Sequence, residues 1–178
     1  MRMMAVAAAG LALAACGGSE TLPAEGEAIS QEQAAASAAE IVRPEPGEYR
    51  MTFELIDISL PNIPGVNADN VRGMMEGTLN RQTTTCITPE QAERGFEDML
   101  RQSQEGHCDF QRFDVAGGDI DAAMTCRRDG NEARIKVDGT VTRTSSDMTM
   151  TMDGTAPQIG EIEMTLRTQS ERIGECAA

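Results

Sequence analysis

The sequence predicts a mainly β fold: an antiparallel meander, as a curved sheet or partial barrel, with one helix inserted between its early strands (α+β in the broad sense). Two observations carry this reading. From Cys108 onward apolar residues recur at every second position in short segments closed by Gly, Asp, Asn or Ser, the pattern of half-buried antiparallel strands. Ahead of them one stretch, from Thr88 to Gly106, has helical spacing instead. At 178 residues the chain holds one domain of ordinary size.

The elements follow in order. Arg2 begins a short positive region, and Met3 to Ala15 is an uncharged run. That run is shorter than the roughly 20 apolar residues a membrane-spanning helix needs, and it fits the apolar part of a secretory signal. The small residues Ala14 and Ala15 precede Cys16, and Gly17-Gly18-Ser19 follow it. Leu13-Ala14-Ala15-Cys16 resembles the bacterial lipobox, whose Cys is lipidated and becomes the first mature residue. The expected segments are a signal peptide over 1–15, a lipidated Cys16 with an acidic tether over 16–42, and a folded domain over 43–178. Membrane attachment would come from acyl chains, palmitate among them, since a single chain binds only marginally and several hold firmly. Loss of Arg2 makes the mature chain more acidic still, so its surface would be repelled by anionic lipid. Gly17 in place of Asp favours sorting to the outer membrane.

Residues Gly17 to Val42 hold five Glu and neither a basic residue nor an aromatic. Such a segment buries too little apolar surface to offset its ordering entropy. As a flexible chain it would span roughly 25–30 Å. Ser30 and Gln33 have capping-box spacing, and the Ala-rich stretch from Gln31 to Ile41 favours a helix. Without a broad apolar face, that helix is expected to be solvated and marginal. Pro44 and Pro46 stop it.

Tyr49 to Ser59 reads as a strand, with Met51, Phe53 and Leu55 on one face and Thr52 and Glu54 on the other. Leu60 to Gly65 is a Pro-rich loop, and Gln82 to Ile87 a short Thr-rich strand. Thr88-Pro89-Glu90-Gln91 starts a helix with an N-cap, a first-turn Pro and a capping-box Gln. Ala92, Phe96, Met99 and Leu100 form its stripe, and Gly106 ends it. Cys108 to Val115 and Ile120 to Arg127 then flank the hairpin signal Gly117-Gly118. Ala133 to Arg143 follows, with a bend allowed at Asp138-Gly139. Ser145-Ser146 turns the chain into Asp147 to Asp153, which sets Met148, Met150 and Met152 on one face. Glu161 to Thr168 puts Ile162, Met164 and Leu166 inward.

Four cysteines remain beside Cys16, an even number that suggests two disulfides in an exported chain, with three possible pairings. A turn centred on Gly117 sets residue 115 opposite 119 and Cys108 opposite Cys126, within disulfide reach. Cys86 and Cys176 pair by elimination. Each bridge would contribute roughly 3–5 kcal/mol by loop entropy.

The remaining chemistry is thin. A net charge of −14 repels phosphates and argues against nucleic-acid binding. With one His, the chain offers neither a His-rich metal site nor two imidazoles. His107 adjoins Cys108, but neighbours on a strand point to opposite faces, so the pair reads as a loop His beside a structural Cys. The Met148, Met150 and Met152 ladder could bind soft Cu(I), yet in a chain with four Phe and one Tyr those thioethers are needed for the core. Asp119-Ile120-Asp121 and Asp129-Gly130-Asn131-Glu132 match turn chemistry better than the calcium loop or an acid–base pair. No P-loop, dinucleotide fingerprint or Gly-x-Ser-x-Gly elbow is present. No cofactor, metal or catalytic residue is assigned.

Three stretches resemble a known family. Arg43-Pro44-Glu45-Pro46-Gly47-Glu48-Tyr49-Arg50-Met51-Thr52 is similar to the opening strand of the domain of unknown function 3617 family, with Tyr49 where Trp is frequent and a Pro-Glu-Pro insertion. Cys86-Ile87-Thr88-Pro89-Glu90-Gln91-Ala92 resembles its Cys-Leu/Ile-Thr-Pro-Glu motif, and Arg172-Ile173-Gly174-Glu175-Cys176 its closing motif. The resemblance implies an exported bacterial protein, often a lipoprotein, and carries no known activity. The expectation is a non-enzymatic module on the periplasmic face of a membrane, binding an envelope protein or supporting the envelope. The alternative is a carrier of an apolar ligand in a helix-capped sheet.

Overall fold

The computed structural model describes residues 28–61, 67–128, 130–156 and 160–177. The signal segment, Cys16 and the first part of the tether lie outside the described residues, as do Asn62 to Gly65 of the Pro-rich loop and Asp129.

Seven strands form one open antiparallel sheet. They are β1 (Gly47–Ser59), β2 (Arg81–Ile87), β3 (Cys108–Ala116), β4 (Asp119–Arg128), β5 (Asn131–Val141), β6 (Ser145–Ala156) and β7 (Gly160–Gly174). Their order across the sheet is β2-β1-β7-β6-β5-β4-β3. The run β3 to β7 is the predicted meander. β1 joins it beside β7, and β2 lies outermost. β7 extends past the expected Thr168, because Tyr49, Arg50 and Met51 of β1 give Arg172, Glu171 and Ser170 their partners.

The β3–β4 hairpin corrects one detail of the sequence reading. Gly117 and Gly118 both take positive φ, 62° and 99°, as a two-residue turn requires. That turn sets Val115 opposite Ile120, one residue away from the predicted register. A register shift between Phe110 and Arg112 restores the offset, so Cys108 does face Cys126.

Alternation sorts the sheet into two faces. Ala122, Val137, Met150, Leu166 and Leu55 form one row across five strands, and Met124, Ile135, Met152, Met164 and Ile58 the next. The other face carries rows such as Asp121, Asp138, Thr149, Arg167 and Glu54.

The described residues contain four helices, where the sequence suggests a marginal one over Gln31 to Ile41 and one from Thr88: α1 (Gln31–Glu40), α2 (Ala68–Leu79), α3 (Pro89–Arg94) and α4 (Glu97–Glu105). The predicted helix from Thr88 is split into α3 and α4. Its start is as expected, with the full Thr88/Gln91 capping box, but Gly95 takes φ 54° and breaks it after two turns. The side chain of Met99 lies outside the described residues. Gly106 does not supply the left-handed cap after α4; His107 does, at φ 53°. His is among the non-glycine residues that tolerate this conformation best.

α1 forms with the Ser30/Gln33 capping box, but it is not the solvated helix expected of a tether. Ala34 and Ile41 are buried in one cluster with Phe110, Phe113, Ile120, Ala122 and Val141. Phe96 and Leu100 pack against the same cluster. The rings of Phe110 and Phe113 stack at 5.2 Å. Burying each is worth about 1.5–3 kcal/mol, which a short helix without intrinsic stability can share by docking on them. The Ile29 N–H donates to the Phe110 carbonyl at 2.7 Å, so the segment leading into α1 lies on the edge of β3.

α2 was not foreseen. It packs along β1 with Val71, Met75 and Leu79 half-buried, while Met74 on its outer side is exposed. Arg72 holds it there, donating to Asp57 at 3.1 Å and to the Ile58 carbonyl at 2.6 Å.

Candidate functional site

The three stretches that carried the resemblance meet at one corner of the sheet, where β1, β2 and β7 run side by side. Tyr49, the chain's single tyrosine, is 2 % exposed. Its hydroxyl lies 2.8 Å from the Glu45 carbonyl and 3.0 Å from the Arg143 carbonyl and donates to them. Burial pushes its pKa above the ordinary tyrosine value. The Arg143 guanidinium returns to the Glu45 carboxylate at 3.0 Å. Arg172 donates from Nε to the Pro46 carbonyl at 2.9 Å and pairs with Glu175. Cys86 and Cys176 are bonded across the corner, with their Cα atoms 5.4 Å apart. The motif residues thus fasten backbone to backbone, and this corner is a clasp.

The second cysteine pair, Cys108 and Cys126, faces across the hairpin with Cα atoms 3.9 Å apart. His107 is exposed and its main chain caps α4, donating to the Gln104 carbonyl and accepting from the Arg127 N–H. Of the acidic residues at the turns, Asp121 and Glu132 are taken up by guanidinium groups, and Asp129 lies outside the described residues. Arg112 pairs with Asp121, whose register neighbours are Asp114 and Asp138. The hydrogen bond to Asp121 raises the Arg112 pKa further. Arg127 and Arg134 both pair with Glu132. Among the described residues no three His, Cys, Asp or Glu side chains group to hold a metal ion.

Met148, Met150 and Met152 lie on the apolar face as predicted, but all three are only half-buried, as are Met164 and Leu166 beside them. The reason is where the helices land. α1 and α4 pack on β3, and α2 packs along β1. Beyond β4 the buried cluster includes Val141 and reaches further only through contacts with Val137 and Met148. The predicted core of inward Met, Ile and Leu is therefore buried toward β3 and, on β1, at Leu55 and Ile58, while the strands between are only half-covered.

At the far end of the central strands the face dips into a hollow of about 240 Å³, lined by Cys126, Ala133, Met152 and Ile162 among others. On the opposite face of the same end lies a polar hollow of about 470 Å³, lined by Glu132, Asp153, Glu161, Glu163 and Arg134. Gly154 and Ile162 border both. Neither hollow was foreseen. Met152 and Ile162 were recognised as inward-facing, but strand alternation does not tell how far a covering helix reaches. The apolar hollow can take up hydrocarbon or an apolar side chain, and the cysteine that borders it, Cys126, is held in a disulfide.

Comparison with known proteins adds one match. The family model described as "Protein of unknown function (DUF3617)" matches residues 44–176. No curated protein and no solved structure matches. Among the described residues no helix is long and apolar enough to cross a membrane.

Proposed function

The chain belongs to the DUF3617 family of proteins of unknown function, and from that premise we propose that it is a lipid-anchored periplasmic binding module without enzymatic activity. Its anchor would be Cys16, and its binding surface the uncovered centre of the apolar face around Met150, Met152, Met164 and Leu166. One observation carries the reading. A row of Met and Leu side chains across adjacent strands stays half-exposed while the helices cover the flanks. A surface of that kind marks an interaction site, and unbranched Met side chains adapt to irregular partners. Of the acidic turn residues singled out in the sequence, Asp121 and Glu132 face arginines.

The partner reading is preferred to the apolar-ligand carrier because of size. Ligand pockets usually run about 300–1,000 Å³ and enclose most of their ligand. The apolar hollow holds about 240 Å³ and opens to one side, enough for a side chain or the end of an acyl chain.

The test is photo-crosslinking in intact cells, with a photoreactive residue at Leu166 or, as control, at Thr149 on the opposite face. A discrete envelope-protein adduct from Leu166 alone is the expected result. Equal or absent labelling from the two positions would sink the binding face. Lipid adducts from Leu166 would favour the carrier. In parallel, Cys16→Ser should release the protein from the membrane fraction.

A further inference from the structure

The two edges of the sheet differ. Along β3, the Ile29 N–H bonds to Phe110 and α1 packs beside the strand. β2 has no such cover among the described residues, and Arg81 through Cys86 are all exposed. Apart from the charge of Arg81 at its start, the strand lacks the usual devices that blunt an edge. It carries no Pro, no Lys and no acidic residue, and its register with β1 is unbroken.

Which of its backbone groups are free follows from one bond. The Leu55 N–H donates to Asn80 Oδ1 at 2.6 Å, just beyond the end of β2, so odd-numbered residues of β1 direct their backbone groups toward β2. Antiparallel alternation then makes Arg81, Thr83, Thr85 and Ile87 the residues bonded to β1. The N–H and C=O groups of Gln82, Thr84 and Cys86 point outward. Of these, only the Thr84 carbonyl is approached, by the Thr83 hydroxyl at 3.5 Å.

We infer that β2 pairs with β2 of a second copy of this chain, antiparallel about a two-fold axis at Thr84, joining the two sheets into one. The register is self-complementary. The axis sets Thr84 against its own copy and Gln82 against Cys86, so outward residues meet outward residues and each facing pair exchanges both main-chain bonds. Thr83 faces Thr85, a favourable cross-strand pair. Arg81, the one charge on the strand, faces Ile87, so like charges are not opposed there. In a chain of net charge −14, this threonine strand without carboxylates is a place where two copies can touch without bringing acidic groups together. The remaining bodies still repel, so added salt should strengthen the pairing by screening. A single strand pair covers little area, and the association is weak in dilute solution.

The test uses the full chain. Thr84→Cys in intact cells, given a mild oxidant, should yield a disulfide-linked dimer on a non-reducing gel, whereas Thr149→Cys on the sheet face should not. For the purified protein in non-ionic detergent, sedimentation equilibrium should show a dimer that grows with protein and salt concentration. Thr84→Pro should abolish that dimer with an unchanged circular-dichroism spectrum, because the lost N–H is not one that bonds β1 and Pro is tolerated at such edge positions. A wild-type chain that stays monomeric up to about 500 µM, where even weak strand pairs associate, would overturn the inference. So would a dimer that survives Thr84→Pro, or an adduct at position 84 to a different protein in place of a second copy.

Discussion

Gly139 and Gly154 both lie on the apolar face, in adjacent strands, and replacing each by Ala should have opposite consequences. Gly139 in β5 faces Ile120 on one side and Met148 on the other. A methyl there would stand 2.7 Å from the Cα and Sδ of Met148 and closer still to the Asp147 carbonyl oxygen. Non-bonded carbon contacts settle near 3.5–4.0 Å, so β6 would have to retreat by about an ångström. It cannot do so freely, because it is paired on both sides and Asp147 is held by Arg167. Overpacking costs about 1–3 kcal/mol, and a collision with backbone places Gly139→Ala near 3. A methyl on Gly154 would meet the Ala133 Cβ at 3.5 Å, an ordinary contact. Gly154→Ala should therefore be neutral or stabilise by about 0.5–1 kcal/mol, through the narrower unfolded chain. Urea unfolding followed by circular dichroism separates the two. With a slope of about 1–3 kcal/mol per molar, Gly139→Ala should lower the midpoint by about 1–3 M, and Gly154→Ala should leave it unchanged or raise it. A Gly139→Ala midpoint within about 0.3 M of wild type would refute the close-approach reasoning, since that is below the smallest overpacking cost at such slopes.

Two further outcomes follow from single groups. Tyr49→Phe removes the donor shared by the Glu45 and Arg143 carbonyls and should cost about 1–2 kcal/mol. Thermal denaturation would register that as a fall of about 2–8 °C, and an unchanged midpoint would show that the clasp does not depend on the hydroxyl. The Arg167 guanidinium, assisted by Gln169, holds the Asp147 carboxyl below its usual range. Its stabilisation is thus present above the unfolded-state pKa of about 3.9 and is lost as pH falls through the lower folded value. Asp147→Asn should flatten the loss of stability below about pH 4, read as urea midpoint against pH. Parallel curves for the two proteins would contradict the assignment.

The strands were legible because period-two alternation is a local signal, and Phe53, Met150 and Leu166 fall on the face it predicts. The helices were less so. Gly95 sits about two turns beyond a strong start signal at Thr88, and the sequence does not say whether a glycine bends or breaks a helix. α2 has a single narrow stripe, Val71, Met75 and Leu79, diluted by Gly73 and Gly77. α1 has only Ala34 and Ile41 to bury, so its docking is decided by Phe110 and Phe113, which lie far along the chain. The Cys108–Cys126 pairing was predicted from a register that is one residue off at the turn, and a bulge made up the difference. The candidate face was readable as apolar from Met148 to Met152, but not as uncovered, since coverage depends on where three separately docked helices end.

The placement of β1 beside β7 also dictates an order of events. Synthesis delivers β1 early, yet Glu54 must wait for Arg167 before its strand has a neighbour on that side. The local hairpins from β3 through β7 can zip up one after another, whereas this pairing closes a loop that spans most of the domain and is correspondingly slow. Until it forms, β1 and β2 can offer only a two-stranded ribbon, which is marginal alone in water. The nascent molecule therefore carries unpaired strand edges up to its final step, the stage at which a holding chaperone would matter most.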